Sequence, residues 1–206
     1  MEKLLIFPCN GNGLEALDCI QGQFELIGFV DDTPEKQGET KYGYGVFSRE
    51  IIDKYKEAKI LAVPGSPLTY LKRQEIINGL RIPPERFATL IHPTAAVSRF
   101  AAIGKNVLLL AGVVVNVNAV IGDHVCVMPN TVIAHDSVIG AWTLIGNLVA
   151  IAGHVSVEEN CYIGSGSNVI NGITIGKRSL LGLGTNLIKS VPANSKVAGN
   201  PARSIE

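Results

Sequence analysis

Residues 121–138 read IGDHVC, VMPNTV, IAHDSV: three hexapeptides, each opening on Ile or Val. The same spacing holds from Ile91 to Leu187, where every sixth residue is Ile, Val or Leu, 17 positions out of 17, so chance is not a serious competitor. A short fixed period marks a solenoid, and a hexapeptide period marks a parallel β-helix. Three hexapeptides make one triangular coil, which sets residue n over residue n+18. Position one, the Ile, Val or Leu, points inward. Position five, small or β-branched from Ala95 to Val191 with Ile173 the one large residue, also points inward near a corner. Position two is often glycine, as at Gly104, Gly122, Gly140 and Gly164, and positions three and four face outward.

The chain ahead of the repeat follows another rule. Residues 3–7, 24–30 and 59–63 read as strands; residues 14–20, 48–57 and 68–80 read as helices; Asn10 to Gly13 reads as a turn. Alternation of strands and helices with short loops implies a parallel sheet with covering helices, a small Rossmann-like unit. Pro83 and Pro84 mark the boundary, and residues 87–91 read as the last strand before the solenoid. The predicted organisation is an α/β Rossmann-like domain over 1–85 and a β-helix over 86–206.

Composition narrows the function classes. Eighteen basic and eighteen acidic residues give no electrostatic footprint for nucleic acid or an acidic membrane. There is no signal-peptide layout, and no apolar run reaches the roughly 20 residues needed to span a bilayer. A cytoplasmic protein without membrane insertion is expected. Cys9, Cys19, Cys126 and Cys161 show no CxxC pairing and read as buried free thiols.

Four histidines carry the remaining chemistry. His92, before Pro93, reads as a structural cap on the first coil. His124, at position four, reads as solvated. His135 occupies an outward position three, with Asp136 after it. The eighteen-residue rule sets Gly153 beside His135 and lines up Asn118, Asp136 and His154 as a polar ladder on strands roughly 4.8 Å apart. A histidine of near-neutral pKa can take a proton from an attacking amine or hydroxyl, and an adjacent carboxylate can hold its tautomer. Gly153 leaves space beside the ring. Spacing alone leaves a solvated surface histidine open.

The stretch NTVIAHDSVIG, residues 130–140, resembles the histidine–acid motif of bacterial sugar acetyltransferases of the NeuD/PglD type, and the similarity runs through the whole chain. That resemblance implies a left-handed β-helix, a homotrimer, acetyl-CoA as co-substrate bound between subunits, no metal, and a role in surface glycan biosynthesis. It puts the general base on His135 and the orienting acid on Asp136. VAGNPAR, residues 197–203, looks like the family's closing segment along the CoA site, so Gly153, His154, Gly182, Gly184, Gly199 and Pro201 are the candidates for the CoA groove. The glycine turn PCNGNG, residues 8–13, and the acids ending the second strand are similar to the family's nucleotide-sugar site, which would fall on Asn10, Gly11, Asn12, Gly13, Asp31 and Asp32, with Gly65 and Ser66 lining the same crevice. Three positions depart from the pattern: Pro8 replaces a glycine, Met128 a polar residue, and Leu144 a histidine near the acceptor. The implied reaction is N-acetylation of a nucleotide-linked amino sugar. The alternatives are O-acetylation of a sialic acid-type sugar, a γ-carbonic anhydrase-type hydratase, for which a third histidine is missing, and a non-catalytic scaffold.

Overall fold

The computed structural model describes residues 1–40 and 42–205. The N-terminal sheet is built from β1 (Glu2–Phe7), β2 (Phe24–Val30), β3 (Gly38–Glu39), β4 (Gly45–Phe47) and β5 (Lys59–Ala62), in the order β3-β4-β2-β1-β5. β1 lies parallel to β2 and β5, as the strand–helix alternation requires, and β3–β4 is an antiparallel pair that the sequence did not announce. The helices are shorter than their patterns: α1 (Gly11–Glu15) runs into a 3-10 turn, α2 covers Ile51–Lys54, and α3 covers Arg73–Asn78 after a 3-10 turn at Tyr70–Lys72. In α2 only Ile52 is buried and no side chain caps the N-terminus. Short helices draw their stability from packing, and one buried residue supports little more than one turn.

From Leu90 onward two-residue strands stack in three parallel sheets at the eighteen-residue offset: Val114 on Val132, Val120 on Val138, Cys126 on Leu144. The position-one column from Leu109 to Leu187 is buried, while Ile91 at the open end stays exposed. Position-five hydroxyls are also buried and stitch coil to coil. Thr131 Oγ1 donates to the Gly146 carbonyl at 2.7 Å and accepts the Val149 N–H at 3.1 Å. Position four takes a positive φ at coil after coil, as at Asn118, Asp136 and His154, the left-handed region that Asn, Asp and Gly enter most readily. The phase breaks after Leu187. Val191 pairs with Ile175 and Val197 with Leu181, an offset of 16, so the last coil is two residues short and Val191 stands in for a position-one residue rather than a position-five one.

One face of the prism is not solvated. Leu90, Leu108, Cys126 and Leu144 project outward from it and join Leu4, Ile6, Phe29 and Leu61 in one core. Two polar devices fix the contact. Asn106 pairs both ways with the Ala62 backbone, each bond 2.7 Å. Arg73, fully buried, donates to the carbonyls of Trp142 (3.0 Å), His124 (2.6 Å) and Pro64. His124 sits in this contact and is buried, which corrects the expectation that it is solvated. The repeat aims it outward, and the N-terminal unit covers it. Among the described residues no helix is long and apolar enough to cross a membrane.

Candidate active site

The prism has three corners. The first carries His135–Asp136 and Gly153–His154, between the strands Val132–Ile133 and Val138–Ile139. Backbone bonds lace this corner: the Asp136 N–H donates to the Val117 carbonyl (3.1 Å), and the His154 N–H to the His135 carbonyl (3.0 Å). Beneath it Ser137 Oγ donates to the Ala152 carbonyl at 2.9 Å. A left-handed backbone at Asp136 turns its carboxylate onto the preceding ring, and His135 Nδ1 lies 2.7 Å from Asp136 Oδ2. Asn118 Nδ2 donates to Oδ1 of the same carboxylate at 3.0 Å, and His154 Nε2 stands 3.8 Å from Oδ2. The hydrogen bond from His135, then that from Asn118, holds the Asp136 carboxyl below the ordinary carboxylate value. An ionised carboxylate only accepts, so Nδ1 carries the ring proton and Nε2 is the free base. The His135 side chain is 52% exposed.

Gly153 is required here, though not for the expected reason. A Cβ on it would lie 2.7 Å from His135 Cε1 and Nε2. The space it vacates is taken by the imidazole itself rather than left for a ligand.

The other expected groove residues lie elsewhere. Gly184 belongs to the second corner, with Asn130, Leu148 and Gly166, and Gly182 abuts the closing segment, where its Cβ would meet Ala198 Cβ at 2.9 Å. Asn186 joins this end to Gly199 through a 3.0 Å backbone bond, and Pro201 follows in the same turn. An open apolar groove of about 560 Å3 on the face between these two corners connects the groups. Ala134 and Ala152, next to His135 and Gly153, line one end; Ile170 and Ile188 line the middle; Asn186 and Asn200 belong to the closing end. Sequence reasoning missed this groove. Its signal was the apolar position-two column Ala134, Ala152, Ile170, Ile188 on one side of the prism, where the other sides carry mostly glycine or polar residues.

The N-terminal residues divide likewise. Asn10 caps α1 by accepting the Gly13 N–H at 2.9 Å, and a side chain at Gly13 would run into the Pro8 carbonyl. A side chain at Gly11 would meet open space. Asn12, Gly65 and Ser66 line a cavity of about 270 Å3 against the solenoid, whose wall includes Met128, Leu144, Asn147 and Tyr162. Both departures from the family pattern on the solenoid therefore face this one cavity. Asp31 and Asp32 are already engaged. Asp31 accepts from Lys36 Nζ (2.8 Å) and the Thr33 N–H (3.1 Å), and Asp32 pairs with Arg49. Burial raises the Asp31 carboxyl, but the bonds from Lys36 and Thr33 outweigh it and leave the group below the usual value. Lys36, the partner of Asp31, also donates to the Cys9 carbonyl at 3.0 Å and so ties the second strand's end to the glycine turn; the sequence reading had passed over it.

Comparison with known proteins gives a consistent picture. Residues 118–153 match the bacterial transferase hexapeptide (six repeats) family. The acetyltransferase domain of PglB from Neisseria gonorrhoeae FA1090, in complex with acetyl coenzyme A, is 25% identical over 99% of this chain and 99% of its own, with a TM-score of 0.87. PerB from Caulobacter crescentus, in complex with CoA and GDP-perosamine, shares the fold with a TM-score of 0.86 at 24% identity, covering 100% of this chain and 98% of its own. WeeI from Acinetobacter baumannii AYE does so with a TM-score of 0.83 at 23% identity over 100% of both chains. No curated protein matches by sequence.

Proposed function

We propose that this hexapeptide-repeat chain is an acetyl-CoA-dependent N-acetyltransferase acting on a nucleotide-linked amino sugar, with His135 as general base and Asp136 as its orienting acid. The observation that carries the reading is the 2.7 Å bond from His135 Nδ1 to an ionised carboxylate on an exposed corner, which leaves Nε2 basic and accessible. The acyl donor follows the PglB domain, whose structure holds acetyl coenzyme A. The acceptor class follows PerB, whose structure holds CoA and GDP-perosamine.

In the reaction a neutral amine attacks the thioester carbonyl while Nε2 takes its proton. Asp136 stabilises the imidazolium that forms. A backbone N–H near Gly153 would hold the oxyanion, and its collapse expels the CoA thiolate, which the imidazolium reprotonates. Holding the two substrates in register supplies much of the acceleration. CoA would lie along the apolar groove from Ala134 and Ala152 towards Gly182, Gly184 and the Gly199–Pro201 turn. The acceptor would be held by residues 1–85, in the cavity lined by Asn12, Gly65 and Ser66, and the transfer carried out by residues 86–206. That cavity opens on the covered face, away from the His135 corner, so the assignment requires neighbouring protomers, a homotrimer in which one copy's acceptor meets another's imidazole. Substrates of this kind fit a cytoplasmic protein.

The test is product analysis by mass spectrometry with acetyl-CoA and UDP-, dTDP- and GDP-linked amino sugars, each beside its hydroxyl analogue. Acetylated amine supports the reading, acetylated hydroxyl moves it to O-transfer, and absence of any acetylated product removes it.

A further inference from the structure

We propose that His135, Asp136 and His154 form a binding site for a borderline divalent cation of the Zn2+ type, and that occupancy switches the corner off. The site stands on geometry alone; the inhibition rests on the functional reading above.

His135 Nδ1, Asp136 Oδ2 and His154 Nε2 offer one donor each, and the candidate donor atoms of the three residues lie within 4.8 Å of one another. Asn118 ties down Oδ1 of the carboxylate, so Oδ2 is the oxygen turned to both rings, at 2.7 Å from one and 3.8 Å from the other. The rings stand 5.1 Å apart at 88°, edge against face. Zinc bonds of about 2.0–2.2 Å in a tetrahedron set its donors about 3.3 Å apart. The two donor distances straddle that value, so small side-chain rotations of His135 and His154 close the site without moving the laced backbone. Both rings are exposed, which leaves the fourth position to water.

The donor chemistry selects the ion. Two imidazoles and one carboxylate favour Zn2+, Cu2+ or Ni2+ over the oxygen-seeking Mg2+ and Ca2+. Among the described residues no other three His, Cys, Asp or Glu side chains stand close enough together to hold an ion. Burial pushes Cys19 and Cys126 up to about 12 and Cys161 to about 11, so these thiols stay protonated, and His124 is buried.

Inhibition follows from the tautomer. In the working corner Nδ1 carries the proton and donates it in a hydrogen bond to Asp136, and Nε2 keeps its lone pair. A cation on Nδ1 takes that nitrogen's lone pair, and the ring proton moves to Nε2. The metallated imidazole is still neutral, but its outward nitrogen is now N–H and cannot accept a proton from an acceptor.

The test is Zn2+ titration of the intact protein against a chromogenic chelator. One ion per chain with affinity in the micromolar range is expected, and Asp136→Asn and His154→Asn should each weaken it at least tenfold, within the roughly 10–100-fold span seen on disturbing metal surroundings. Cys9→Ser should change nothing, and Mg2+ should not compete. Zn2+ should also raise the melting temperature of the wild type more than that of either variant. Equal binding by wild type and both variants, or no binding, overturns the proposal. In the acetyl-transfer assay Zn2+ should stop the wild type and EDTA restore it, and His154→Asn, scaled to its own uninhibited rate, should need at least tenfold more Zn2+. Binding as expected with no transfer to any nucleotide sugar keeps the site and removes the functional reading. Transfer that Zn2+ leaves untouched removes the inhibition.

Discussion

Two repeats, separated by one other, each set a histidine beside an aspartate on an outward turn, Asp123–His124 and His135–Asp136, and the molecule treats them oppositely. His124 is 9% exposed, stacked on Trp142 at 3.9 Å and 7°, edge-on to Phe87, with Nδ1 2.9 Å from Asn106 Nδ2. Asn106 Nδ2 is a donor, so Nδ1 is the acceptor there and the ring is neutral with its proton on Nε2. His135 faces solvent and carries its proton on Nδ1. The repeat fixes where an imidazole stands on the prism. What covers that corner decides which nitrogen is basic and whether it can meet a substrate.

The largest separation between the two should appear on truncation. His135→Ala should lower kcat for acetyl transfer by about 10³-fold, within the range for loss of a general base. His124→Ala should leave kcat within about twofold and cost about 2–4 kcal/mol of stability, as expected for emptying a packed aromatic site. Steady-state rates and urea melts on the pair decide it; similar rate losses in both variants would mean that exposure is not what distinguishes them. Next is Asp136→Asn, with an expected loss of about 10²-fold in kcat, because an amide can donate to Nδ1 and so stabilise the unproductive tautomer. Gly153→Ala should cost about tenfold, since the added Cβ forces the imidazole off its seat while the exposed corner absorbs the shift.

Most of the solenoid could be read directly, because one column of Ile, Val and Leu determines the neighbours of every residue between Leu109 and Leu187. The same rule set His135, Asp136, Asn118 and His154 together, and they are together. It failed at His124 because the cover comes from Arg73, Phe87 and β5, far off in sequence, and nothing in a six-residue period encodes it. It failed at Val191 because a two-residue deletion leaves an apolar residue at a plausible position and hides the slip. Asp31 and Asp32 carried the spacing of a ribose site. Their partners are Lys36, in a 3-10 turn on which the pattern was silent, and Arg49, in the turn ahead of α2, which the pattern had read as helix. The groove between two corners was written only in the apolar position-two column Ala134, Ala152, Ile170 and Ile188.

Acid should act on the covered histidine before it disturbs the fold elsewhere. Burial lowers His124 to about 4, from 6.5 in an unstructured chain. The unfolded state therefore binds that proton more readily, so His124's contribution is fully present above about pH 6.5 and is lost as pH falls towards 4. The melting temperature should drop across that window, and His124→Phe should flatten the drop. An unchanged slope in the variant would assign the acid sensitivity in this window to groups other than His124; Asp31 is not among them, since its carboxyl, lowered from 3.8, gives stability that is lost only as pH falls below about that value.

The second corner, that of Gly184, offers the smallest and most diagnostic effect. Its position-four column reads Gly112, Asn130, Leu148, Gly166, Gly184, and Leu148 alone is a residue that resists the left-handed conformation it holds, φ 55°. That conformation costs a branched aliphatic residue about 1–2 kcal/mol. At the covered corner Trp142 bears the same strain and is compensated by its stack on His124. Leu148 is 65% exposed and has no such compensation within the protomer. Leu148→Asn, copying Asn130 one coil away, should therefore stabilise the dilute protein by about 0.5–1 kcal/mol. If protomers assemble over that corner, the sign should reverse at high protein concentration, because the leucine then has apolar surface to lose. Melting curves over a hundredfold concentration range separate the cases. Destabilisation at every concentration would mean that Leu148 is held by contacts inside the protomer, and the corner would cease to mark a seam.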